Sequence, residues 1–346
     1  MTSSLPTSRV PDPAGAPALR WGVLAPGRIA AKTVDAVARH TRQRVVACGS
    51  RSLERAQQFA HEHGIERPYG SYAELLADPD VDAVYVASPH SHHAELALQV
   101  IDAGKHVLVE KAFTRNAAEA RQVVEAARSA GVTCMEAMWT RFLPRTDIVS
   151  QLLADGELGD VTTFLADHGQ YMAFHPASRL FDPALAGGAL LDLGVYPVSY
   201  ARFVFGAQPG RIQATGTLTE TGVDAQVTAL FDHYPGSDAH AIVTTTLAAR
   251  TPCTAAICGT LARVELDGSF YNPGTVRFVT RDKVPTESGP PAIVASDGLC
   301  HQVAHFATLV AEGRRESPLL PLDETVAVME TLDELRAQVG VRYPGE

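Results

Sequence analysis

Short apolar runs alternate with amphipathic stretches from Leu19 to about Ala137. The apolar runs are rich in valine and show little alternation of apolar and polar positions, which is typical of strands covered on both faces. Stretches with helical periodicity separate them, as IAAKTVDAVARH follows RWGVL. This alternation of strands and helices predicts βαβ units and a doubly wound parallel sheet.

The pattern changes after Trp139. The segment GGALLDLGVYPVSYARFVFG predicts one long helix that starts at a glycine pair. Runs rich in Thr, Val and Ala between Arg211 and about Val279 predict an antiparallel sheet, and two helical segments follow. We therefore expect an α/β protein with a nucleotide-binding domain over residues 19–138. An α+β domain with a large, mainly antiparallel sheet is expected over residues 139–346.

Composition narrows the class of protein. The chain has 346 residues, of which 46% are apolar and 20% charged, which favours two domains in a soluble globular protein. The formal net charge of -10 disfavours nucleic acid and anionic membranes as partners. Residues 1–18 are rich in Pro, Ser, Ala and Thr and lack the apolar core of a secretion signal, which predicts a disordered tail. Five cysteines without a C-x-x-C pair favour a reducing cytoplasm and no metal site.

The turn after the first strand, in WGVLAPGRIA, is a candidate phosphate site. Dinucleotide-binding folds usually carry G-x-G-x-x-G or G-x-G-x-x-A here, for a tight turn, close approach of the pyrophosphate and helix–strand packing. Gly27 and Ala30 fill the last two roles, whereas Ala25 replaces the first glycine. The segment fits either a structural turn or a diphosphate site at a helix start. For the diphosphate site, the predicted contact residues are Ala25, Gly27, Arg28 and Ile29.

The end of the second strand bears on the choice of coenzyme. The run RVVACGS is followed by Arg51, and no carboxylate occurs before Glu54. An acidic residue at this position would bind the ribose hydroxyls of NAD, whereas an arginine accommodates the 2′-phosphate of NADP. Ser50 and Arg51 are therefore predicted to bind NADP, with NAD the less favoured coenzyme; the alternative is a solvated arginine at a strand end.

Five stretches occur in an order that matches one protein family: VLAPGRIA, ASPHSHHAE, GKHVLVEKA, EAMWTRFLP and GGALLDLGVYP. Together they resemble the glucose–fructose oxidoreductase / inositol dehydrogenase (Gfo/Idh/MocA) family, and in particular its D-xylose and dihydrodiol dehydrogenase branch. The resemblance extends from Leu19 to the end of the chain. It implies that the first domain is an NADP-binding Rossmann domain and that the second binds substrate and mediates dimerisation.

The resemblance also implies which residues contact the coenzyme. Lys111 corresponds to the lysine of the family's Glu-Lys-Pro motif, near both the nicotinamide ribose and the substrate, and Ala112 replaces the proline. For His93, a buried histidine at a helix start is the alternative. Glu136, Trp139 and Arg141 are implied to line the passage between the two domains. The implied coenzyme contacts are Ser88, Pro89, His90, His93, Glu110, Lys111, Trp139 and Arg141.

An acid/base pair is implied in GGALLDLGVYP. Asp192 and Tyr196 are four residues apart, so they share one face of a helix. By the resemblance, Tyr196 is the acid/base, Lys111 its electrostatic partner and Asp192 the residue that orients substrate hydroxyls. A free tyrosine has a pKa near 10, and a nearby ammonium group lowers it. The alternative is a core tyrosine with a partnered aspartate. Residues expected to border the substrate are Phe174, His175, Arg179 and Asp192.

The implied activity is hydride transfer between NADP and a carbinol carbon of a sugar or cyclic diol. A sugar reductase of the 1,5-anhydrofructose type would use the same residues in reverse. An oxidation-dependent glycosidase that keeps NAD bound is disfavoured by Arg51. A non-catalytic NADP-binding sensor or scaffold is a third alternative, although Lys111, Asp192 and Tyr196 are all present. Relatives that dimerise through the second sheet imply a homodimer.

Overall fold

A six-stranded parallel sheet is the framework of the first part of the fold, in a computed structural model that describes residues 5–346. The strand order is β3-β2-β1-β4-β5-β6, the order of a doubly wound dinucleotide-binding fold, so the predicted sheet is confirmed. Its strands are Arg20–Leu24 (β1), Arg44–Gly49 (β2), Arg67–Tyr69 (β3), Ala83–Val86 (β4), His106–Glu110 (β5) and Cys134–Ala137 (β6).

Helices connect these strands, and three of the five begin at a residue whose side chain caps the helix. Ser71 and Glu74 form a reciprocal capping box on the third helix, and Asn116 caps the fifth. Gly64 and Gly131 end two helices in the left-handed conformation. The helices are Arg28–His40 (α1), Leu53–His63 (α2), Tyr72–Leu76 (α3), His93–Asp102 (α4) and Ala117–Ala130 (α5).

An eight-stranded sheet dominates the second part of the fold. Its order is β14-β13-β12-β11-β7-β10-β9-β8, and every pair is antiparallel except β7 with β10, which confirms a mainly antiparallel sheet. The sequence did not predict its central strand, β7. The strands are Val161–Gly169 (β7), Arg211–Leu218 (β8), Asp224–Asp232 (β9), His240–Thr246 (β10), Ala255–Gly259 (β11), Ala262–Leu266 (β12), Arg277–Thr280 (β13) and Pro285–Glu287 (β14).

The predicted long helix has two parts. Leu190–Gly194 forms a π-helical turn that continues into Val195–Phe205 (α7). Gly188 precedes the turn with a φ of 114°, and a Cβ there would lie 2.2 Å from Asp224 Oδ1, so the glycine is required. The remaining helices are Pro144–Ala154 (α6), Leu299–Ala311 (α8) and Leu322–Val339 (α9).

The chain divides into two compact units whose boundaries differ from those predicted. The first unit comprises Pro11–Phe142 and Ala295–Val326, and the second comprises residues 5–10, Leu143–Val294 and Ala327–Glu346. Residues 295–326, predicted in the second domain, return to the first unit because α8 packs on α1 and on the sheet. Phe306 of α8 lies 5.2 Å from the ring of Trp21.

The predicted disordered tail requires a correction over part of its length. Residues 1–4 lie outside the described residues. Between residues 5 and 18, the backbone N–H of Arg9 binds Asp147 at 2.6 Å, and Pro13–Gly15 forms a 3₁₀ turn capped by Asp12. The prediction of disorder was wrong for residues 5–18. Composition does not reveal an anchor such as Arg9, which binds a residue 138 positions away.

Within residues 5–346, every helix is too short or too polar to cross a bilayer. In the same described range, His, Cys, Asp and Glu side chains form no group of three or more that could hold a metal ion.

Candidate functional site

The turn between β1 and α1 has the backbone that a diphosphate requires. Ala25 adopts a φ of 56°, in the left-handed region where the family motif carries glycine, and its N–H donates to Gly49 O at 3.0 Å. Gly27 is the exposed N-cap of α1 and Ala30 is fully buried. The first turn of α1 contains no acidic residue. Its first N–H groups and the positive end of the helix therefore fit an anionic group.

The end of β2 presents a cation beside this turn. Arg51 is exposed, and no ion pair engages it among residues 5–346, whereas Ser50 is half-buried. Ser52 is occupied as the N-cap of α2. Burial raises the pKa of Tyr72, and the charge of Arg51 acts on the same phenol in the opposite direction. The strand end therefore offers an unpaired guanidinium and no carboxylate, a donor set that fits a 2′-phosphate.

His93 joins two loops of the first unit. Its side chain is 1% exposed, and its ring nitrogens lie 2.8 Å from Ser88 O and 2.8 Å from Ala112 O. Burial lowers the pKa of His93 to about 4. The residue is thus the buried histidine at a helix start that the sequence left open, and its contact with the coenzyme stays a prediction. His90 is buried edge-on to it, with ring centroids 5.6 Å apart.

The segment that carries Lys111 is held on both sides. The ring Nδ1 of His93 lies 2.8 Å from Ala112 O, and the N–H of Phe113 donates to Glu136 Oε1 at 3.1 Å. The other carboxylate oxygen of Glu136 accepts from the hydroxyl of Thr325 at 3.2 Å, and burial raises the pKa of Glu136 to about 7. The peptide bond between Lys111 and Ala112 is cis. Lys111 is therefore half-exposed on a backbone fixed by two buried side chains.

Three of the predicted coenzyme residues are buried, and two of them are bonded to other groups of the protein. Glu110 is 5% exposed and accepts a hydrogen bond from Tyr85, whose hydroxyl lies 3.2 Å from that of Thr33. Arg141 pairs with Glu324 and donates to Leu319 O at 2.7 Å. Trp139 is 7% exposed. These side chains shape the loops around the site, and their direct contact with the coenzyme stays a prediction.

The second unit contains the predicted acid/base pair. Asp192 lies on the π turn and is 7% exposed, and Tyr196, at the start of α7, is 9% exposed. The guanidinium of Arg179 donates to Asp192 Oδ1 at 3.0 Å, so two predicted substrate residues meet. Phe174 is 44% exposed and packs edge-on against Phe181. Lys111 belongs to the first unit and the pair to the second, so their joint action stays a prediction.

The structure adds an aromatic cluster that the sequence did not predict. The ring of His168, near the end of β7, lies 5.2 Å from that of Tyr196 and 4.1 Å from that of Tyr271. The rings of Tyr196 and Tyr271 are 4.9 Å apart. The amide of Gln170 donates to the hydroxyl of Tyr271 at 3.3 Å. No motif marks these residues, because β7 and the loop with Tyr271 meet α7 only in the folded chain.

Comparison with known proteins identifies the family of the chain. Residues 19–138 match the model of the GFO/IDH/MocA oxidoreductase family with an NAD-binding Rossmann fold, and residues 147–265 match the GFO/IDH/MocA C-terminal domain. A trans-1,2-dihydrobenzene-1,2-diol dehydrogenase of Bos taurus is 36% identical, covering 94% of this chain and 98% of the relative. The protein of that name from Homo sapiens is 37% identical with the same coverage.

Solved structures show the same fold. An aldose-aldose oxidoreductase from Caulobacter crescentus, complexed with glycerol, superposes with a TM-score of 0.84 at 24% identity, over 94% of this chain and 98% of that one. A 3-ketoreductase from Actinomadura kijaniata, in complex with NADP and TDP-benzene, gives a TM-score of 0.80 at 27% identity, over 93% and 98% of the two chains. The predicted family resemblance is therefore confirmed.

Proposed function

The chain belongs to the Gfo/Idh/MocA family of NAD(P)-binding oxidoreductases, and from that membership we propose that it is an NADP-dependent dehydrogenase of cyclic diols or sugars. The substrate loses hydride from a carbinol carbon and a proton from the attached oxygen. The near full-length match to relatives named trans-1,2-dihydrobenzene-1,2-diol dehydrogenase supports the class of substrate.

One observation carries the proposal: a carboxylate and a phenol stand four residues apart on a buried segment. Asp192 and Tyr196 are both more than nine-tenths buried, on a π turn and the helix that continues it. π turns within helices are frequent at functional sites. Burying a carboxylate is costly unless it is bound, and Asp192 is bound by the guanidinium of Arg179.

The assigned roles follow from the chemistry of each side chain. A bound nicotinamide coenzyme supplies the hydride acceptor. The hydroxyl of Tyr196 exchanges the proton with the substrate oxygen, a form of catalysis worth about a hundredfold to ten-thousandfold. Asp192, with one oxygen bound to Arg179, orients a second substrate hydroxyl. The ammonium group of Lys111 binds the reacting oxygen, where it stabilises negative charge.

The coenzyme is proposed to be NADP, bound by the first unit. The N-terminus of α1, with Gly27, Arg28 and Ile29, holds the diphosphate, and Arg51 pairs with the 2′-phosphate beside Ser50. The loop Ser88–His90 and Trp139 border the nicotinamide end. The choice of NADP over NAD is supported by the unpaired guanidinium and the absence of a carboxylate at the end of β2 within the described chain.

We further propose a homodimer in a reducing, cytoplasmic setting. The outer face of the large sheet carries an apolar row across four strands, in which Ala256, Leu165, Ile242 and Leu230 are paired in register. Leu165 and Ile242 are 42% and 43% exposed at its centre. A second copy of this chain would cover the row. The five cysteines are all free thiols, as a reducing compartment favours.

An absorbance assay at the NADPH band tests the activity. The purified protein is mixed with NADP or NAD and a panel of dihydrodiols, aldoses and inositols, and the reverse reaction is followed with NADPH and the matching ketones or lactones. We expect NADP-dependent turnover of a cyclic diol or sugar. If no member of the panel is turned over in either direction, the proposed substrate class is wrong.

Tyr196→Phe tests the acid/base assignment. The variant lacks the transferable proton, so kcat should fall about a hundredfold or more, whereas NADPH affinity, measured by fluorescence titration, should stay near wild type. Tyr200→Phe is the matched control, since Tyr200 lies four residues further along α7 and is 1% exposed. Wild-type turnover by Tyr196→Phe would contradict the assignment.

A further inference from the structure

Residues on three neighbouring strands of the large sheet form hydrogen bonds at and beside the π turn that contains Asp192. On one side, the N–H of Leu190 donates to the buried carboxylate of Asp224 on β9 at 2.6 Å. On the other side, Nδ1 of His168 on β7 lies 3.1 Å from Leu193 O. Thr245 on β10, the register partner of His168, places its hydroxyl 3.0 Å from His168 O. The buried face of the sheet thus fixes both ends of the turn.

The hydrogen bond from His168 to Leu193 O replaces a helical hydrogen bond that the sequence cannot form. In an α-helix, the carbonyl of residue 193 would accept from the N–H of residue 197, and Pro197 has no N–H. A buried carbonyl without a donor costs free energy. Leu193 O is contacted by the N–H of Val195, two residues further along the chain, and by the imidazole of His168, which supplies a donor from a strand 25 residues away in sequence.

The contacts of His168 also fix its tautomer. Leu193 O is a carbonyl and can only accept, so Nδ1 carries the proton. Nε2 of the neutral ring then accepts from the amide of Gln170 at 3.0 Å, and the same amide donates to Tyr271 at 3.3 Å. Both ring nitrogens therefore have a partner of the right kind, and the orientation of the imidazole is determined.

The oriented ring lies directly against the proposed acid/base. His168 is 1% exposed, and its ring meets that of Tyr196 edge-on, with 61° between the planes. It therefore contacts Tyr196 through its ring and the segment of Asp192 through Leu193.

We propose that His168 is a positioning residue for Asp192 and Tyr196, acting through its Nδ1–H bond to Leu193 in the π turn. The proposal rests on the proposed function, because it assumes that these two side chains act on the substrate. His168 itself transfers no proton. Its bond keeps the carboxylate and the phenol in the orientation that catalysis requires.

Two substitutions separate the hydrogen bond from the aromatic contact. In His168→Asn, the side-chain amide nitrogen is as many bonds from Cα as Nδ1, so the donor to Leu193 remains while the ring is lost. In His168→Phe, the ring remains and the donor is lost. We expect His168→Asn to keep a kcat close to wild type, and His168→Phe to lose about tenfold or more, because small misplacements of reacting groups are costly. KM and NADPH affinity should change little in either variant.

Controls keep the outcomes distinct. His301→Phe makes the same substitution at another buried histidine, on α8, whose Nδ1 has no hydrogen-bond partner within the described chain, and its kcat should stay near wild type. Thermal unfolding reports whether each variant folds; if His168→Phe does not, the smaller His168→Leu replaces it as the variant without a donor.

The experiments distinguish an error in the positioning role of His168 from an error in the proposed function. A full kcat in His168→Phe, or an equal loss in both His168 variants, would overturn the positioning role while Tyr196→Phe stays inactive. Turnover by Tyr196→Phe would instead overturn the proposed function. If both ideas hold, adding His168→Phe to Tyr196→Phe should cost little more, because the two side chains act as one unit.

Discussion

At the scale of single residues, Arg51 is the residue proposed to select NADP over NAD. Its guanidinium is exposed at the end of β2 without a carboxylate partner in the described chain. Arg51→Ala should weaken NADP binding by about tenfold to a hundredfold, because hydrogen bonds to charged groups contribute about 1.5–3 kcal/mol. NAD binding should change little. Both affinities can be measured by isothermal titration calorimetry.

Arg44→Ala is the matched control for this measurement, since Arg44 is an exposed arginine at the opposite end of the same strand. Its loss should leave both affinities near wild type. Equal weakening of NADP and NAD in Arg51→Ala would show that the residue does not contact the 2′-phosphate.

Site residues within local stretches could be proposed from the sequence, and residues defined by distant contacts could not. Ala25 and Gly27 were proposed from one turn, and Asp192 and Tyr196 from the stretch GGALLDLGVYP, which carries the family resemblance. The role of His168 depends on Leu193, which is 25 residues away, and on Pro197, whose missing donor has an effect only when the strand and helix pack together. Glu136 was expected to line the passage between the domains, but its bond to Phe113, in the segment after β5, had no signal in the sequence.

At the scale of elements, the segment after β5 depends on a buried carboxyl group. Burial raises the pKa of Glu136 to about 7 from its usual 4.5, so the folded protein holds this proton at a pH where the unfolded chain has lost it. Stability from this group is complete below about pH 4.5 and is lost as the pH rises through about 7. Between pH 5 and pH 8, the free energy of unfolding should therefore fall by about 2 kcal/mol because of Glu136.

Glu136→Gln tests this dependence. The variant does not titrate and keeps an oxygen that accepts from Phe113, so its unfolding free energy in urea should fall less than that of the wild type between pH 5 and pH 8. Glu66→Gln, at an exposed position of the same unit, should behave as the wild type. A variant with the full wild-type pH dependence would show that Glu136 is already ionised in the folded protein at pH 5.

The elements themselves were predicted best where hydrophobic periodicity is strong. The parallel sheet and the runs from β8 to β13 were found, because valine-rich or alternating runs have few other structures open to them. The strand β7 was missed: its outer face carries Thr163 and Asp167 on either side of Leu165, so the segment has no clear apolar run. The π turn inside the predicted helix was also missed, since the sequence pattern of GGALLDLGVYP indicates only a continuous helix.

At the scale of the whole molecule, the chain leaves its first unit at Leu143 and returns to it at Ala295. Sequence order alone predicted one boundary, at residues 138 and 139. The helix α8 shows why this was insufficient: its apolar face is completed by Trp21 and α1, nearly 300 residues earlier in the chain. A helix belongs to the unit whose surface it covers, and only the folded structure shows which surface that is.

The outer face of the large sheet leads to a prediction about assembly. Leu165 and Ile242 are neighbours in register at the centre of the face, and each leaves more than two-fifths of its surface exposed. In a twofold dimer through this face, Ile242→Lys would place two like charges at the interface core, each desolvated and unpaired. Removing a partner from a buried charge costs about 3–5 kcal/mol, so the variant should be monomeric at micromolar concentration. Sedimentation equilibrium of the wild type and the variant measures this directly.

Leu319→Lys, at a similarly exposed leucine of the other unit, should remain dimeric. A monomeric wild type, or a dimeric Ile242→Lys, would contradict the assignment of this face, and an unchanged NADPH affinity in the variant would show that the coenzyme-binding unit folds without the partner.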